Sequence, residues 1–212
     1  MLTIHHLNNS RSQRILWLAE ELGLEYELVK HQRDPETLRA PASLNAVHPL
    51  GKAPVIEHDG QVIAESDAII EYITRKLAQG RLSIGSDSPD FGEYLEWLHF
   101  PEGSLQGALV FDLIYQWADA ANDVLFGFFD VEMNRHYDYL DGVLAERDYL
   151  LQSGFTAADI NMTWTLEFAE ARGRTQSHPN LCTYLARMRA RPAYQSAIKR
   201  GGPQDLNVFG KN

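Results

Sequence analysis

The chain has 212 residues, of which 44% are hydrophobic and 23% charged, a composition that supports a folded core. Its net charge of −10, from 19 basic and 29 acidic side chains, argues against a protein that binds nucleic acid or anionic membranes, because both functions need a basic surface. No apolar run approaches the ~18 residues that span a bilayer, and the N-terminus has none of the features of a secretory signal, so we expect neither a membrane segment nor export.

The first part of the chain alternates between strand and helix patterns. A short apolar strand at the N-terminus precedes a helix whose apolar residues recur at the i, i+3, i+4 and i+7 spacing, namely Ile15, Leu18, Ala19 and Leu22. Residues 25–30 then alternate like a half-buried strand. Residues 36–46 are predicted to form a short, weak helix.

Two further strands and a helix complete this part. Asp59-Gly60 is a two-residue turn signal that predicts a hairpin within residues 55–64. Ser66 is expected to cap the helix that follows. The order β-α-β-α-β-β-α, with a crossover helix between the first two strands, predicts a mixed α/β sheet covered by helices.

The remainder of the chain shows only helical spacing. One helix is expected to be interrupted at Pro101, a long helix is predicted from Val124 to Arg147, and Thr156 with Asp159 has the spacing of a capping box. Residues 79–88 are rich in Gly, Ser, Asp and Pro and indicate a linker. We therefore predict an α/β domain over residues 1–78, a linker over 79–88 and an all-α domain over 89–212.

Histidine and cysteine residues offer little for metal or redox chemistry. His5 and His6 are adjacent in a predicted strand, so their side chains point to opposite faces and do not form a metal site together. Cys182 is the only cysteine, which excludes an intrachain disulfide and favours a reducing, cytoplasmic setting. It lies beside the apolar stripe of a late helix and is predicted to be buried and structural. We expect no metal.

Pro54 in the sequence GKAPVI stands directly before a predicted strand. Proline has no N–H for a strand ladder and is confined to edges, bulges and strand starts. Taken alone, the residue is interpreted as an ordinary trans proline at a strand start, because few X–Pro bonds are cis.

Several segments together resemble the cytosolic glutathione S-transferases. They are NNSRSQRILWLAEELGL in the first loop and helix, HPLGKAPVIEHDGQVIAESDAIIEYI, FTAADI, and LARMRARPAYQ near the end. The resemblance covers nearly the whole chain and is nearest to the bacterial and fungal branch with LNNSRSQR in its first loop. It implies a thioredoxin-like first domain, a helical second domain, a cis bond before Pro54 and a homodimer.

The resemblance also implies a glutathione site. Lys52 is expected to meet the glycyl carboxylate, Glu65 the ammonium group and Ser66 the other carboxylate, while the backbone of Val55 pairs with the cysteinyl part like an added strand. Ser66 as a plain helix cap, and Lys52 and Glu65 as a solvated surface pair, are the structural alternatives.

The catalytic group must stabilise the glutathione thiolate, since a free thiol titrates near pH ~8.5. Ser10 is the first candidate because it lies four residues before Arg14, as the catalytic serine does in the serine-type classes. Ser10 and Gln13 also fit an S-x-x-Q capping box, so Ser10 is alternatively a helix cap. Asn9 and Ser12 are neighbouring substitutes.

The function expected from this resemblance is transfer of glutathione to small hydrophobic electrophiles, or reduction of peroxides. The alternative is a non-catalytic module that retains the fold and carries ligands or partners. The electrophile is expected to bind between the domains, near helical residues such as Phe100, Ser104, Phe111 and Tyr115, although each of these is equally typical of a core.

Overall fold

The protein is described from a computed structural model covering residues 1–118 and 123–209. The chain forms two compact units. The first contains Met1–Gly85 and Arg189–Asp205, and the second contains Ser86–Met188 and residues from Leu206 onward. Within the described ranges, no helix combines the length and apolar character needed to cross a membrane.

A four-stranded mixed sheet forms the centre of the first unit. Its strands are β1 (Leu2–Leu7), β2 (Tyr26–His31), β3 (Val55–His58) and β4 (Gln61–Ala64). They lie in the order β2-β1-β3-β4. β1 is parallel to β2 and antiparallel to β3, and β3 is antiparallel to β4. The predicted β-α-β-α-β-β-α fold of the first domain is confirmed.

The β3–β4 connection is the predicted two-residue hairpin. Asp59 and Gly60 both adopt positive φ, at 49° and 77°. Two consecutive left-handed residues match the right-handed twist of the flanking strands, which is the reason that Asp-Gly is favoured in such turns.

The helices of the first half are α1 (Ser12–Leu22), α2 (Ala42–Val47) and α3 (Ser66–Tyr72), and α3 continues as a π-helical turn over Ile73–Leu77. The prediction of a helix over 36–46 is wrong at its start. The Asp34 carboxylate accepts the N–H groups of Glu36 and Thr37, at 3.1 and 2.7 Å. This local turn competes with helix formation, so α2 begins only after Pro41.

The second unit is helical, with α4 (Phe91–Phe100), α5 (Gly107–Ala118), α6 (Asp123–Glu146), α7 (Ala157–Ala171) and α8 (Pro179–Arg189). The expected interruption at Pro101 takes the form of a change of helix type. α4 ends at Phe100, and a π-helical segment, Pro101–Gln106, joins it to α5. Proline lacks the N–H that an α-helix would bond to the carbonyl four residues earlier, so the α-helical hydrogen-bond pattern is broken there.

The start of α7 confirms the predicted capping box. Thr156 Oγ1 accepts the N–H of Ala158 at 3.3 Å, and the Asp159 carboxylate accepts the N–H of Thr156 at 2.8 Å. Asp159 is fully buried and also accepts the N–H of Leu150 at 2.9 Å and the Tyr184 hydroxyl at 3.0 Å. One carboxylate thus joins the cap of α7, the preceding loop and α8.

The last helix, α9 (Pro192–Gly201), packs on α1 within the first unit. Tyr194 lies edge-on to Trp17 with ring centroids 5.1 Å apart, and Arg191 binds both carboxylate oxygens of Glu21 at 2.6 and 3.0 Å. The boundary after Gly85 falls inside the predicted linker, but residues 189–205 group with the first unit rather than with a second domain over 89–212.

The prediction that Cys182 is buried is wrong, because its side chain is exposed. α8 buries Leu181, Tyr184, Leu185 and Met188. Position 182 follows Leu181 by a turn of about 100°, which places the thiol beside the buried stripe rather than in it.

Candidate functional site

A cleft in the first unit lies around the start of β3 and the start of α3. We call it the Pro54 cleft, and its lining residues are Arg11, His48, Leu50, Lys52, Ala53, Pro54, Ala64, Glu65 and Ser66. The structure therefore brings together Lys52, Glu65 and Ser66, which the family resemblance implied as a group. Ser10 and Val55 are not among the lining residues.

The loop before β3 has an unusual backbone. The Ala53–Pro54 peptide bond is cis, as the resemblance implied, and Gly51 adopts φ of +57°. The N–H of Gly51 donates to the carbonyl of His48 at 2.9 Å, which closes the loop. Lys52 and Ala53 are thereby held at the edge of the cleft.

Val55 is less suited to a ligand than its neighbour Ala53. It is fully buried, and its backbone lies between two strands, opposite His5 of β1 and Ala64 of β4. Ala53 precedes the strand and borders the cleft. Ala53 was not predicted as a site residue, although its place immediately before Pro54 was the available signal.

The start of α3 differs from the expectation that Ser66 caps the helix. Glu65 occupies the N-cap position with φ of +72°, and Ser66 is the first helical residue. Ser66 is only 3% exposed, and its Oγ has no hydrogen-bond partner in the described parts of the chain. A buried hydroxyl without a partner costs about 1–3 kcal/mol, so this atom is suited to a ligand group at the cleft.

Charge in the Pro54 cleft is mixed. Lys52 and Glu65 are both exposed, and neither forms an ion pair within the described ranges, so they are not the surface pair of the structural alternative. Arg11 and His48 also line the cleft. Neither was predicted as a site residue, although Arg11 directly follows Ser10. Two cations beside one carboxylate, in a chain of net charge −10, favour an anionic ligand here.

Ser10 lies in the loop before α1 and is only 4% exposed. Its hydroxyl donates to the Leu7 carbonyl at 2.7 Å and lies 2.7 Å from Ser12 Oγ. The S-x-x-Q capping box does not form, because α1 begins at Ser12 with Arg11 as its N-cap. Ser10 Oγ does accept the N–H of Ser12 at 3.2 Å, so its hydroxyl still binds the start of α1.

The two substitute residues have partners of their own. Asn9 Oδ1 accepts the N–H of Asp205 at 2.8 Å. Ser12 Oγ accepts the N–H of Leu7 at 3.1 Å and lies 2.9 Å from His6 Nδ1. Neither residue lines the cleft.

The residues expected near the electrophile lie in the second unit. Phe100, Ser104, Phe111 and Tyr115 are all half-buried, so none is simply a core residue. Phe111 stacks on Phe129 with ring centroids 4.0 Å apart. Their contact with an electrophile stays a prediction.

Metal-binding side chains do not cluster in the described residues: no group of three or more His, Cys, Asp or Glu is placed to hold an ion. His5 instead hydrogen-bonds to Glu57 at 2.8 Å and to His31 at 3.2 Å.

Comparison with known proteins identifies the family. The glutathione S-transferase N-terminal domain matches residues 10–76, and the glutathione S-transferase C-terminal domain matches residues 130–192. Glutathione S-transferase 3 of Schizosaccharomyces pombe is 32% identical, over 99% of this chain and 91% of its own.

Two solved structures are also similar. A glutathione S-transferase from Actinobacillus pleuropneumoniae superposes with a TM-score of 0.90 at 27% identity, covering 99% of each chain. A sphingomonad glutathione S-transferase complexed with glutathione superposes with a TM-score of 0.77 at 25% identity, covering 94% of this chain and 98% of that one. The two family matches, the 32% identity over nearly the whole chain and the similarity of the fold agree, and the chain belongs to the glutathione S-transferase family.

Proposed function

We propose that the Pro54 cleft is the glutathione site of this glutathione transferase. The observation that carries the proposal is Ser66 Oγ, a buried hydroxyl at the cleft with no partner in the described structure. A carboxylate of glutathione supplies the acceptor that this hydroxyl lacks. The first N–H groups of α3 have no intrahelical acceptor and would be further donors for the same carboxylate.

The other contacts follow from charge and position. Lys52 takes the glycyl carboxylate, and Glu65 takes the ammonium group of the γ-glutamyl end. Both side chains are exposed at the cleft and have no competing ion pair in the described structure. For the cysteinyl backbone we propose Ala53 rather than Val55, because β1 and β4 flank Val55 on both sides. Arg11 adds positive charge near the first loop.

Glutathione supplies the nucleophilic sulfur, and the chain must favour its thiolate. Lowering the thiol pKa by about two units requires roughly 2.7 kcal/mol of preferential stabilisation of the anion. We assign this role to Ser10, at the start of the α1 region, with the helix N-terminus as a second contribution. Ser10 has a single hydroxyl hydrogen, so it must exchange the Leu7 carbonyl for the sulfur in order to act.

The finer assignments rest on the family resemblance. We propose that the chain belongs to the bacterial and fungal branch with the LNNSRSQR loop, that it works in the cytoplasm, and that its electrophiles are small and hydrophobic. Reduction of organic peroxides is a second proposed reaction.

We also propose a homodimer. Each unit exposes large apolar side chains: Leu50 and Val62 in the first, and Ile114, Phe128 and Val131 in the second. Phe128 is 63% exposed and Val131 57%. Phe128 and Val131 are three residues apart on α6 and therefore lie on one face of that helix. Contiguous exposed apolar patches, rather than single residues, are typical of interfaces, and two-fold pairing is the commonest way to cover them.

Isothermal titration with glutathione tests the site. Ser66→Ala and Glu65→Ala are each expected to weaken binding at least about tenfold, the loss of one charge-assisted contact. Ser153→Ala, at an exposed serine of the second unit, is the control and should bind as wild type does. Wild-type affinity in both site variants would show that the assignment is wrong.

Measuring turnover distinguishes a glutathione transferase from a non-catalytic module that only binds ligands. The wild-type protein is assayed with glutathione and an aryl halide, and then with glutathione and an organic peroxide. Conjugation or peroxide reduction above the uncatalysed rate supports the transferase. Tight glutathione binding without either reaction would favour the carrier module.

A further inference from the structure

A chain of hydrogen bonds runs from Ser10 into the protein interior. Ser10 Oγ lies 2.7 Å from Ser12 Oγ, and Ser12 Oγ lies 2.9 Å from Nδ1 of His6. All three residues are at least 96% buried, since their exposed fractions are 4%, 0% and 3%. Ser10 is the residue proposed to donate a hydrogen bond to the glutathione thiolate. The direction of its hydroxyl therefore depends on Ser12 and His6.

The Leu7 carbonyl competes with the glutathione sulfur as acceptor of the Ser10 hydroxyl hydrogen. It lies 2.7 Å from Ser10 Oγ and 3.3 Å from Ser12 Oγ, so either hydroxyl is able to donate to it. Ser12 Oγ also accepts the N–H of Leu7, and Ser10 Oγ accepts the N–H of Ser12 at 3.2 Å. Each serine has one hydroxyl hydrogen to donate. If the Ser12 hydroxyl donates to the Leu7 carbonyl, the Ser10 hydroxyl is free to donate elsewhere; if it does not, the Ser10 hydroxyl is the donor to that carbonyl.

His6 controls the Ser12 hydrogen. When Nδ1 carries no hydrogen, it accepts from Ser12, and the Leu7 carbonyl is left to Ser10. When Nδ1 carries the hydrogen, it donates to Ser12 Oγ, the Ser12 hydroxyl turns to the Leu7 carbonyl, and the Ser10 hydroxyl is released. Burial, with Lys30 and His31 nearby, lowers the pKa of His6 to about 4, so its ring is neutral at physiological pH and has these two tautomers.

Gln13 and Gly201 of α9 lie beside the other ring nitrogen of His6. A Cβ atom on Gly201 would lie 3.2 Å from Nε2 of His6 and 2.8 Å from Gln13 Oε1. Only the tautomer with the ring hydrogen on Nδ1 lets His6 donate to Ser12 and releases the Ser10 hydroxyl.

We propose that His6 is a positioning residue that acts through Ser12 to turn the Ser10 hydroxyl from the Leu7 carbonyl to the sulfur of bound glutathione. The inference rests on the proposed role of Ser10. It assigns a function to a buried histidine that makes no contact with the Pro54 cleft.

The test measures the pKa of enzyme-bound glutathione thiol by ultraviolet titration of the thiolate, together with kcat/KM at neutral pH. His6→Leu removes the donor that directs the Ser12 hydroxyl to the Leu7 carbonyl. The Ser12 hydroxyl then donates to Ser10 Oγ, 2.7 Å away, rather than to the carbonyl at 3.3 Å, and Ser10 again donates to Leu7. No buried hydroxyl loses all its partners, so the fold is expected to survive. The bound-thiol pKa should rise by about one unit and kcat/KM should fall about tenfold, the effect of one lost hydrogen bond to a charged group. Glutathione affinity should stay within about twofold.

Two further variants define the mechanism. His6→Asn retains an amide near the position of Nδ1 and is expected to keep the bound-thiol pKa close to that of wild type. His5→Leu removes the neighbouring buried imidazole, which points to the other face of β1 and contacts His31 and Glu57 instead. This control should leave the bound-thiol pKa unchanged.

A double-variant comparison separates this inference from the function on which it rests. If Ser10→Ala and His6→Leu each raise the bound-thiol pKa, and His6→Leu adds nothing in the Ser10→Ala background, the inference is supported. If Ser10→Ala raises it and His6→Leu alone does not, His6 has no positioning role while Ser10 keeps its own. If Ser10→Ala has no effect, both assignments are wrong, and titration with Ser66→Ala still tests the binding site independently.

Discussion

Asn45 lies against the α-carbon of Gly51: a Cβ atom built on Gly51 would be only 1.7 Å from Oδ1 of Asn45. Gly51 also has φ of +57°, a conformation that costs other residues about 1–2 kcal/mol. Since the next two residues, Lys52 and Ala53, line the Pro54 cleft, this glycine links the packing of α2 to the geometry of the site.

Gly51→Ala is therefore expected to lower the free energy of unfolding by about 2 kcal/mol and to weaken glutathione binding about tenfold. Urea denaturation and isothermal titration measure the two effects. The double variant Asn45→Ala/Gly51→Ala removes the clash but keeps the unfavourable φ, so it should recover part of both losses. Full wild-type binding in Gly51→Ala would show that the loop does not position Lys52.

Glu65 holds a positive φ of 72° at the N-cap of α3. Such a conformation costs a residue with a side chain roughly 1–3 kcal/mol, whereas glycine adopts it freely. Glu65→Gly should therefore be about 1 kcal/mol more stable than Glu65→Ala, the reverse of the usual order of the two residues at a helix. Both variants should bind glutathione at least about tenfold more weakly than wild type. Greater stability of Glu65→Ala would contradict the strain argument.

His6 makes the stability of the protein depend on pH. Burial, with Lys30 and His31, lowers its pKa from an ordinary 6.5 to about 4. Between these values the unfolded chain binds a proton that the folded protein does not, so stability falls as pH is lowered from 6.5 towards 4. Relative to His6→Leu, wild type should lose up to about 3 kcal/mol across this range. Urea denaturation of both proteins at a series of pH values measures the difference, and a difference independent of pH would contradict the assignment.

Asp159 accepts hydrogen bonds from the N–H groups of Leu150 and Thr156 and from the Tyr184 hydroxyl. Asp159→Asn replaces a carboxylate oxygen by an N–H₂ group that cannot accept, and leaves buried donors unpaired. We expect a loss of about 3 kcal/mol in the free energy of unfolding. Glu146→Gln, at an exposed position at the end of α6, is the control and should change stability by less than about 0.5 kcal/mol. Equal stability of the two variants would mean that the carboxylate is not needed.

The homodimer makes a separate prediction. Sedimentation at micromolar concentration should show a species of twice the 24.0 kDa chain mass. Val131→Glu places a charge on an exposed apolar position of α6 and should favour the single chain if that surface is covered in the dimer. A species of chain mass alone in the wild-type protein would overturn the proposal.

Features that depend on neighbouring residues were predictable from the sequence. The hairpin follows from Asp59-Gly60, because the turn geometry is a property of those two residues, and the cap of α7 follows from the spacing of Thr156 and Asp159. The alternation of strand and helix spacing likewise determined the order β-α-β-α-β-β-α. The grouping of Lys52, Glu65 and Ser66 was implied by family resemblance, and the structure places all three at one cleft.

Features that depend on distant residues were decided only by the tertiary structure. Val55 pairs with His5 of β1, which lies at the other end of the domain sequence, as well as with its hairpin partner β4. The Ser10 hydroxyl donates to the Leu7 carbonyl inside the protein, and it belongs to a hydrogen-bond chain with Ser12 and His6. Periodicity reports which face of a segment is apolar, but it does not report what packs on that face. The hydrogen-bond partners of a buried polar group are set by packing, and these partners determine the chemistry of the site.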